Sequence, residues 1–322
     1  MSAPRKVEKT ERARVRMPAA IALSCAFFVR NFPINRKKEL FVDLVGRWIK
    51  EPQPFSFYSR QLNVWWSGKA MPDRLARHML IEGMYQQDVL AAFELLQPGD
   101  LVLDVGGHHG LMAIVAAKKV LPHGKVISFE PNPFARAIFD ENCTLNAIRN
   151  VQIEPFALSD HPGSAKFYIQ KGSVTWNSSF FRDFACQNGR DEVEETEVPV
   201  STLDEYAAAR SLRPAFLKID AEGSEFLILK GALRMIEKCR PILSMEFNPE
   251  SAIVAGTTIE AMQTLLEELG YQLIVLGRTW TGTYHLKHQT PFSREQHCAS
   301  DLINVLCLPR QQIRAGLPLR AA

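Results

Sequence analysis

Between Leu217 and Ala232 an apolar strand, Leu217-Lys-Ile-Asp220, breaks at Gly223 and runs into a helix, leaving Asp220, Glu222 and Glu225 together at the break. Open α/β sheets bind ligands at the carboxyl ends of their strands, so carboxylates there can hold a cosubstrate, bind a cation or take a proton from a hydroxyl. The same residues also read as ordinary helix chemistry, with Asp220 as the cap and Glu222 and Glu225 as acids favoured in a first turn. On this segment alone both readings stand. Glu246, near the end of the next apolar run, is a further candidate for proton transfer.

A second group of residues sits where Leu101-Val-Leu-Asp104 passes into Val105-Gly106-Gly107-His108-His109-Gly110. Glycines at such a turn let the backbone approach a ligand closely, and the helix that follows presents free N–H groups to an anion. A dinucleotide fingerprint would need glycine where Val105 stands, which weakens a hydride-transfer reading. Glu130, in Ser128-Phe-Glu130-Pro-Asn132, falls at the next strand end, where a carboxylate can accept hydrogen bonds from two ribose hydroxyls. His108 and His109 titrate near neutral pH, but rank below the carboxylates as bases because side chains in a glycine turn commonly face cofactor or solvent. His285, His288, His297 and Cys298 match no established ligand spacing, and no metal site is expected. Asp220, Glu222 and Glu246 offer oxygens that suit magnesium, without requiring it.

Positioning these groups needs a sheet. From residue 88 the chain alternates strand and helix patterns, which predicts a doubly wound α/β fold. Strands are expected at 101–105, 125–129, 151–155, 215–220, 241–247, 271–276 and 303–308. Helices are expected near 110–120, 133–146, 202–210, 224–238 and 258–269, the last with Thr257 or Thr258 as cap and Gly270 as stop. No helix separates the final two strands, so they should be antiparallel neighbours joined by a polar excursion over 277–302. An insertion over 161–200 carries strand pieces at 166–170 and 197–200 around a long loop of the kind that is functional or mobile. Upstream, 36–50 has helical spacing, and the aromatic stretch 55–66 reads as a short hairpin packed over one edge of the core.

Composition sets the limits. The 322 residues carry 38 basic and 35 acidic side chains for a net charge of +3, and no field strong enough to draw nucleic acid or anionic lipid to the whole protein. Six scattered cysteines form no CxxC pair and fit a reducing, cytoplasmic setting. The uncharged run 17–29 is too short to span a bilayer, so residues 1–18 are expected to be a disordered basic tail, with peripheral membrane contact as the lesser reading.

Taken in order, Gly83-Met-Tyr85, Asp104 to Gly110, Phe129-Glu130-Pro131, Ala157-Leu-Ser159-Asp160 with Gly163, and Lys218-Ile-Asp220-Ala-Glu222-Gly223-Ser-Glu225 with Gly231-Ala232 resemble the FkbM family of S-adenosylmethionine-dependent methyltransferases. The resemblance covers about residues 83–310, and the Lys-Ile-Asp-x-Glu-Gly run is its most specific mark. One departure is His108, where the family usually has Asn, followed by His109 in place of an apolar residue.

The resemblance implies a Rossmann-like class I methyltransferase fold, with a mostly parallel seven-stranded sheet ending in an antiparallel strand. The corresponding division is an N-terminal helical and hairpin extension over 19–82, the methyltransferase domain over 83–310 and a C-terminal tail over 311–322. It implies S-adenosyl-L-methionine as cofactor, with Gly106, Gly107, His108 and Gly110 along its methionyl part and Glu130 on its ribose. Ala157, Ser159 and Asp160 would lie beside adenine, Asp104 would anchor the loop or reach the amino group, and Tyr85 would close over the pocket. Asp220, Glu222 and Glu246 are then the candidate catalytic residues. The expected reaction is O-methylation of a hydroxyl on a small molecule, sugar or glycolipid, with no nucleic-acid partner. Methylation of RNA or protein, or a non-catalytic cofactor-binding scaffold, are the alternatives.

Overall fold

The computed structural model describes residues 24–29, 38, 41–42, 55–71, 73–170, 178–186, 192–280, 282–297 and 302–314. The expected basic tail over 1–18, most of the helix expected over 36–50, and Cys298 lie outside them. None of the helices among the described residues is long and apolar enough to cross a membrane.

A hairpin of β1 (Ser56–Ser59) and β2 (Val64–Ser67) is followed by helix Arg74–Ile81 and helix Gln87–Ala92. Asp73 caps the first of these helices by accepting a hydrogen bond from the Leu75 N–H at 2.8 Å. Two of the hairpin aromatics are packed, Trp66 fully buried and Phe57 nearly so, while Trp65 on the other face is 46% exposed.

The main sheet is built from β3 (Leu101–Val105), β4 (Lys125–Phe129) and β5 (Val151–Glu154). After the insertion come β9 (Phe216–Ile219), β10 (Ile242–Phe247), β11 (Tyr271–Arg278), β12 (Tyr284–Pro291) and β13 (Ile303–Pro309). Its order is β12-β11-β13-β10-β9-β3-β4-β5. From β10 to β5 all neighbours are parallel, while β13 runs antiparallel between β10 and β11. The seven expected strands are all present, with the last two paired antiparallel as expected. An eighth comes from the 277–302 excursion, where Tyr284–Pro291 pairs with β11 at the sheet edge. Its polar, histidine- and lysine-bearing sequence is typical of an edge strand that one side leaves unpaired, which is why its composition hid it.

Strand order reverses between β3 and β9, and ligands of open α/β sheets bind in the crevice at such a reversal. Asp104 and the glycine turn leave β3 on one side of it, and the Asp220 segment leaves β9 on the other.

The insertion folds as a small second sheet of β6 (Ala157–Leu158), β7 (Gly163–Gln170) and β8 (Val193–Ser201) in the order β6-β8-β7. The helix expected over 224–238 is two, Glu225–Lys230 and Leu233–Cys239. The break falls at Gly231, whose carbonyl accepts from the Asp204 N–H at 2.9 Å while the Arg234 and Met235 N–H groups donate to the Asp204 carboxylate; a Cβ at 231 would lie 2.0 Å from the Ser159 carbonyl oxygen, so glycine is needed there. Helix Ile259–Glu268 is capped by Thr258, whose Oγ1 accepts from the Ala261 N–H.

Candidate active site

At the strand reversal a cavity of about 1280 Å³ opens to solvent. Its walls come from the glycine turn (Gly106, Gly107, His108), the end of β4 (Glu130, Pro131), the start of the insertion (Phe156, Ala157, Leu158) and the ends of β9 and β10 (Asp220, Glu222, Glu246). The extension roofs it with Arg74, His78, Glu82, Tyr85 and Gln86, and the excursion adds Arg278 and Tyr284.

Backbone strain is present here. Gln86, His108 and Glu222 have φ of +43°, +47° and +51°, a left-handed conformation uncommon for non-glycine residues, and all three line the cavity. Such positions cost about 1–3 kcal/mol each and cluster at active sites and ligand clamps. The left-handed turn also gives a reason for His108: Asn and His are among the side chains that tolerate this conformation, so the exchange keeps the local backbone.

The glycines serve the turn in different ways. Gly106 (φ +80°) lets the loop press against β9, since a Cβ would lie 1.8 Å from the Asp220 carbonyl oxygen. At Gly107 a Cβ would meet Ser128 Oγ at 2.2 Å, and at Gly110 the Phe139 ring at 2.1 Å. Gly106 and Gly107 line the cavity with their backbone, whereas Gly110 is buried against Phe139 and does not. Gly110, which the resemblance places along the methionyl part of the cofactor, packs against the Phe139 ring.

Glu130 is 6% exposed, and its two oxygens accept from the backbone N–H of His108 (2.7 Å) and of Asn132 (2.8 Å). Burial pushes its carboxyl up, while His108 and the two N–H groups pull it back. The His108 ring turns the other way, placing Nε2 3.6 Å from the fully buried Asp73, and stacks on His109 with centroids 3.7 Å apart. Asp73, His108 and His109 bring ligand-type atoms within 4.8 Å of one another. Ring planes only 21° apart keep the in-plane lone pairs of the two imidazoles nearly parallel, which suits stacking better than convergence on an ion. Burial and then His108 lower the His109 pKa well below its usual value, so that ring is neutral and a poor proton carrier.

Beneath the carboxylates lies Lys218, 3% exposed, a cation within an otherwise apolar strand. Its Nζ is 3.3 Å from Asp104 and 3.5 Å from Asp220, and donates to the Gly106 carbonyl at 3.2 Å. Burial alone would lower its pKa, but Asp220 and Asp104 together raise it, so the ammonium stays charged. Asp104 also accepts from Ser128 Oγ at 2.9 Å and does not line the cavity, which makes it an anchor of the loop. Asp220 faces the cavity and accepts from Gln86 Nε2 at 2.8 Å.

Glu222 is half-buried and Glu246 is 4% exposed. Burial raises both carboxyls well above the usual range, and Asp220 raises them further. Oε2 of Glu246 has no hydrogen-bond partner among the described residues. Glu225 behaves differently: its carboxylate turns back and accepts from the N–H groups of Ala221 (2.7 Å) and Gly223 (3.0 Å), fixing the acidic loop from within. Of the residues expected beside adenine, Ala157 lines the cavity. Ser159 and Asp160 do not; Asp160 pairs with Lys230 at 2.9 Å, which holds its carboxyl down at about 2.

Sequence reasoning left Gln86, Asp73, Arg278 and Tyr284 out of the site. Lys218 carried a signal, a lysine inside a buried strand, while Gln86 carried none because its role depends on a backbone turn 134 residues away from its partner.

A family model described as the methyltransferase FkbM domain matches residues 104–273. No curated protein matches the chain by sequence. Among solved structures, a methyltransferase FkbM from Methylobacillus flagellatus KT is similar at 14% identity and a TM-score of 0.40 over 73% of this chain; the match spans about half, 52%, of that protein. A precorrin-6y C5,15-methyltransferase from Geobacter metallireducens GS-15 is similar at 12% identity and a TM-score of 0.35, over 69% of this chain and 85% of that one. An S-adenosylmethionine-dependent methyltransferase from Aquifex aeolicus gives 14% identity and 0.38, over 72% and 93%.

Proposed function

The chain belongs to the FkbM methyltransferase family, and from that premise we propose that it transfers the methyl group of S-adenosyl-L-methionine to a hydroxyl of a small molecule, sugar or glycolipid. The residues present fit the cofactor. A carboxylate has about four lone-pair sites, and Glu130 spends two on His108 and Asn132, so two remain toward the cavity for a ribose diol. Phe156, Ala157 and Leu158 offer an apolar wall to a flat heterocycle, and the Gly106-Gly107 backbone admits the amino-acid end. When bound, the cofactor supplies an electrophilic methyl group on a sulfonium, and the protein's part is positioning, water exclusion and proton removal.

One observation carries the acceptor side of this reading: a buried carboxyl oxygen of Glu246 without a hydrogen-bond partner among the described residues, on the wall of the cavity that also holds Glu130. A donor hydroxyl seated there would satisfy that oxygen, and a carboxylate whose pKa burial has raised is a stronger base than an exposed one. Asp220, tethered by Gln86 and Lys218, orients the acidic wall, and Glu222 stands beside it on the strained loop. Asp220 and Glu222 are the other two candidates for proton removal.

Calorimetry with S-adenosylmethionine, followed by a mass-shift screen of hydroxyl compounds, tests the reading. Glu130→Ala should weaken cofactor binding at least about tenfold, and unchanged affinity would overturn the cofactor site. Glu246→Gln should cut turnover by about 100-fold, the scale of general-base loss, with cofactor affinity retained. Full turnover in that variant would return the role to Asp220 or Glu222.

A further inference from the structure

The cavity has two chemically distinct ends. Its floor is acidic: Asp220, Glu222 and Glu246 stand at the strand ends, Glu82, Asp88 and Glu250 lie elsewhere in the lining, and carboxyl groups far outnumber lysines and arginines. Lys218 is already shared between two carboxylates, and the Arg278 guanidinium lies over the Tyr284 ring at 4.8 Å. An anionic group entering here meets many more carboxyl groups than cations, the Arg74 guanidinium included, whereas a cluster of hydroxyl donors meets acceptors, including the buried Glu246 Oε2.

The rim is apolar. Ile253 and Val254, at the end of helix Pro249–Val254, are 74% and 41% exposed, and Leu302, just before β13, is 49% exposed. All three line the cavity, with Phe180 and Phe184 of the insertion also in its wall. Single exposed apolar residues are unremarkable, but these three share the lining of one cavity.

Resting on the methyltransferase reading above, we propose that the acceptor is an uncharged amphipath: a hydroxyl-rich head without phosphate or carboxylate on the acidic floor, and a hydrocarbon portion lying across Ile253, Val254 and Leu302. The floor selects against anionic acceptors and the rim selects for the chain. The acceptor is therefore distinguished both from free sugars and from nucleotide-bearing or phosphorylated ones.

The test uses the full chain with S-adenosylhomocysteine bound, titrated with alkyl glucosides from methyl to octyl, kept below their micelle-forming concentrations, and with octyl phosphate. Affinity should rise about two- to fourfold for each methylene that reaches the rim, following the transfer free energy of a buried CH₂, and octyl phosphate should bind at least tenfold more weakly than octyl glucoside. Ile253→Asp and Leu302→Asp should flatten the chain-length series. Leu121→Asp, at an exposed leucine outside the cavity, should leave it unchanged. A methyl glucoside that binds as tightly as the octyl compound overturns the rim, and octyl phosphate binding equally well overturns the floor. Binding of S-adenosylhomocysteine with no glucoside binding at all overturns the proposal while the cofactor reading survives. Failure to bind S-adenosylhomocysteine fells that reading first and this proposal with it.

Discussion

Lys218 bridges Asp104 and Asp220, lying 3.3 Å from one and 3.5 Å from the other at the point where β3 and β9 part. A single buried ammonium thereby compensates a carboxylate that anchors the glycine turn and one that faces the cavity.

Replacing Lys218 by Met should destabilise the fold by about 3–5 kcal/mol, because breaking a buried ion pair leaves uncompensated charge. The double variant Lys218→Met, Asp104→Asn should recover part of that loss. Urea unfolding of the three proteins measures both, and a single variant as stable as the parent would show that the triad carries no net charge balance.

Gly106 and Gly256 both have positive φ, at +80° and +68°, but a Cβ meets the Asp220 carbonyl at the first and open space at the second. Gly256→Ala should cost about 1 kcal/mol from conformation alone. Gly106→Ala should cost clearly more and also lower affinity for S-adenosylmethionine, since the clash moves the turn that holds Glu130. Equal losses at the two sites would show that contact with β9 is unimportant.

Glu246 sets a pH dependence whose sign is fixed by its raised pKa. As pH climbs above the usual carboxyl value of 4.5 the unfolded chain gives up this proton before the folded one does, so the native state loses stability with rising pH. Glu246→Gln should therefore be more stable than the parent at pH 7.5, with the difference shrinking toward pH 4.5. Thermal melts across that range decide it, and a variant that gains nothing at pH 7.5 contradicts the burial argument. Activity should run the opposite way in the parent, rising as Glu246 loses its proton.

Asp73 joins helix Arg74–Ile81 to the glycine turn through His108. Asp73→Ala should lose about 1 kcal/mol from the cap. Cofactor affinity should fall as well, because His108 also gives its N–H to Glu130. A cycle with His108→Ala should show coupling of at least about 0.5 kcal/mol, and strictly additive calorimetric affinities would separate the cap from the site.

Much of the sheet was legible because its strands are buried on both faces and read as apolar runs ending in Asp104, Glu130 and Asp220. The edge strand Tyr284–Pro291 was not, since half of its backbone faces solvent and its side chains carry no alternation. Gly231 misled for a different reason: its neighbours on both sides have helical spacing, and it is the distant Asp204 that takes up the Gly231 carbonyl and the Arg234 and Met235 N–H groups. At the site, residue types announced the carboxylates and glycines. Their division of labour, with Glu225 tying the loop and Gly110 making room for Phe139, came from side-chain direction, which periodicity does not encode.

Asn142, fully buried on helix Pro133–Leu145, accepts the Ser67 N–H at 2.9 Å and donates to the His109 carbonyl at 2.9 Å, while Asn146 one turn on exchanges hydrogen bonds with both backbone groups of Trp65. Two side-chain amides, one on the helix and one at its C-cap, thus stand in for a third strand of the hairpin, and one of them grips the cavity-lining glycine turn at the same time. An amide has no charge to titrate and no freedom to slide, so this joint sets the hairpin's register and the turn's height together. A shift of either reaches the other through a single planar group.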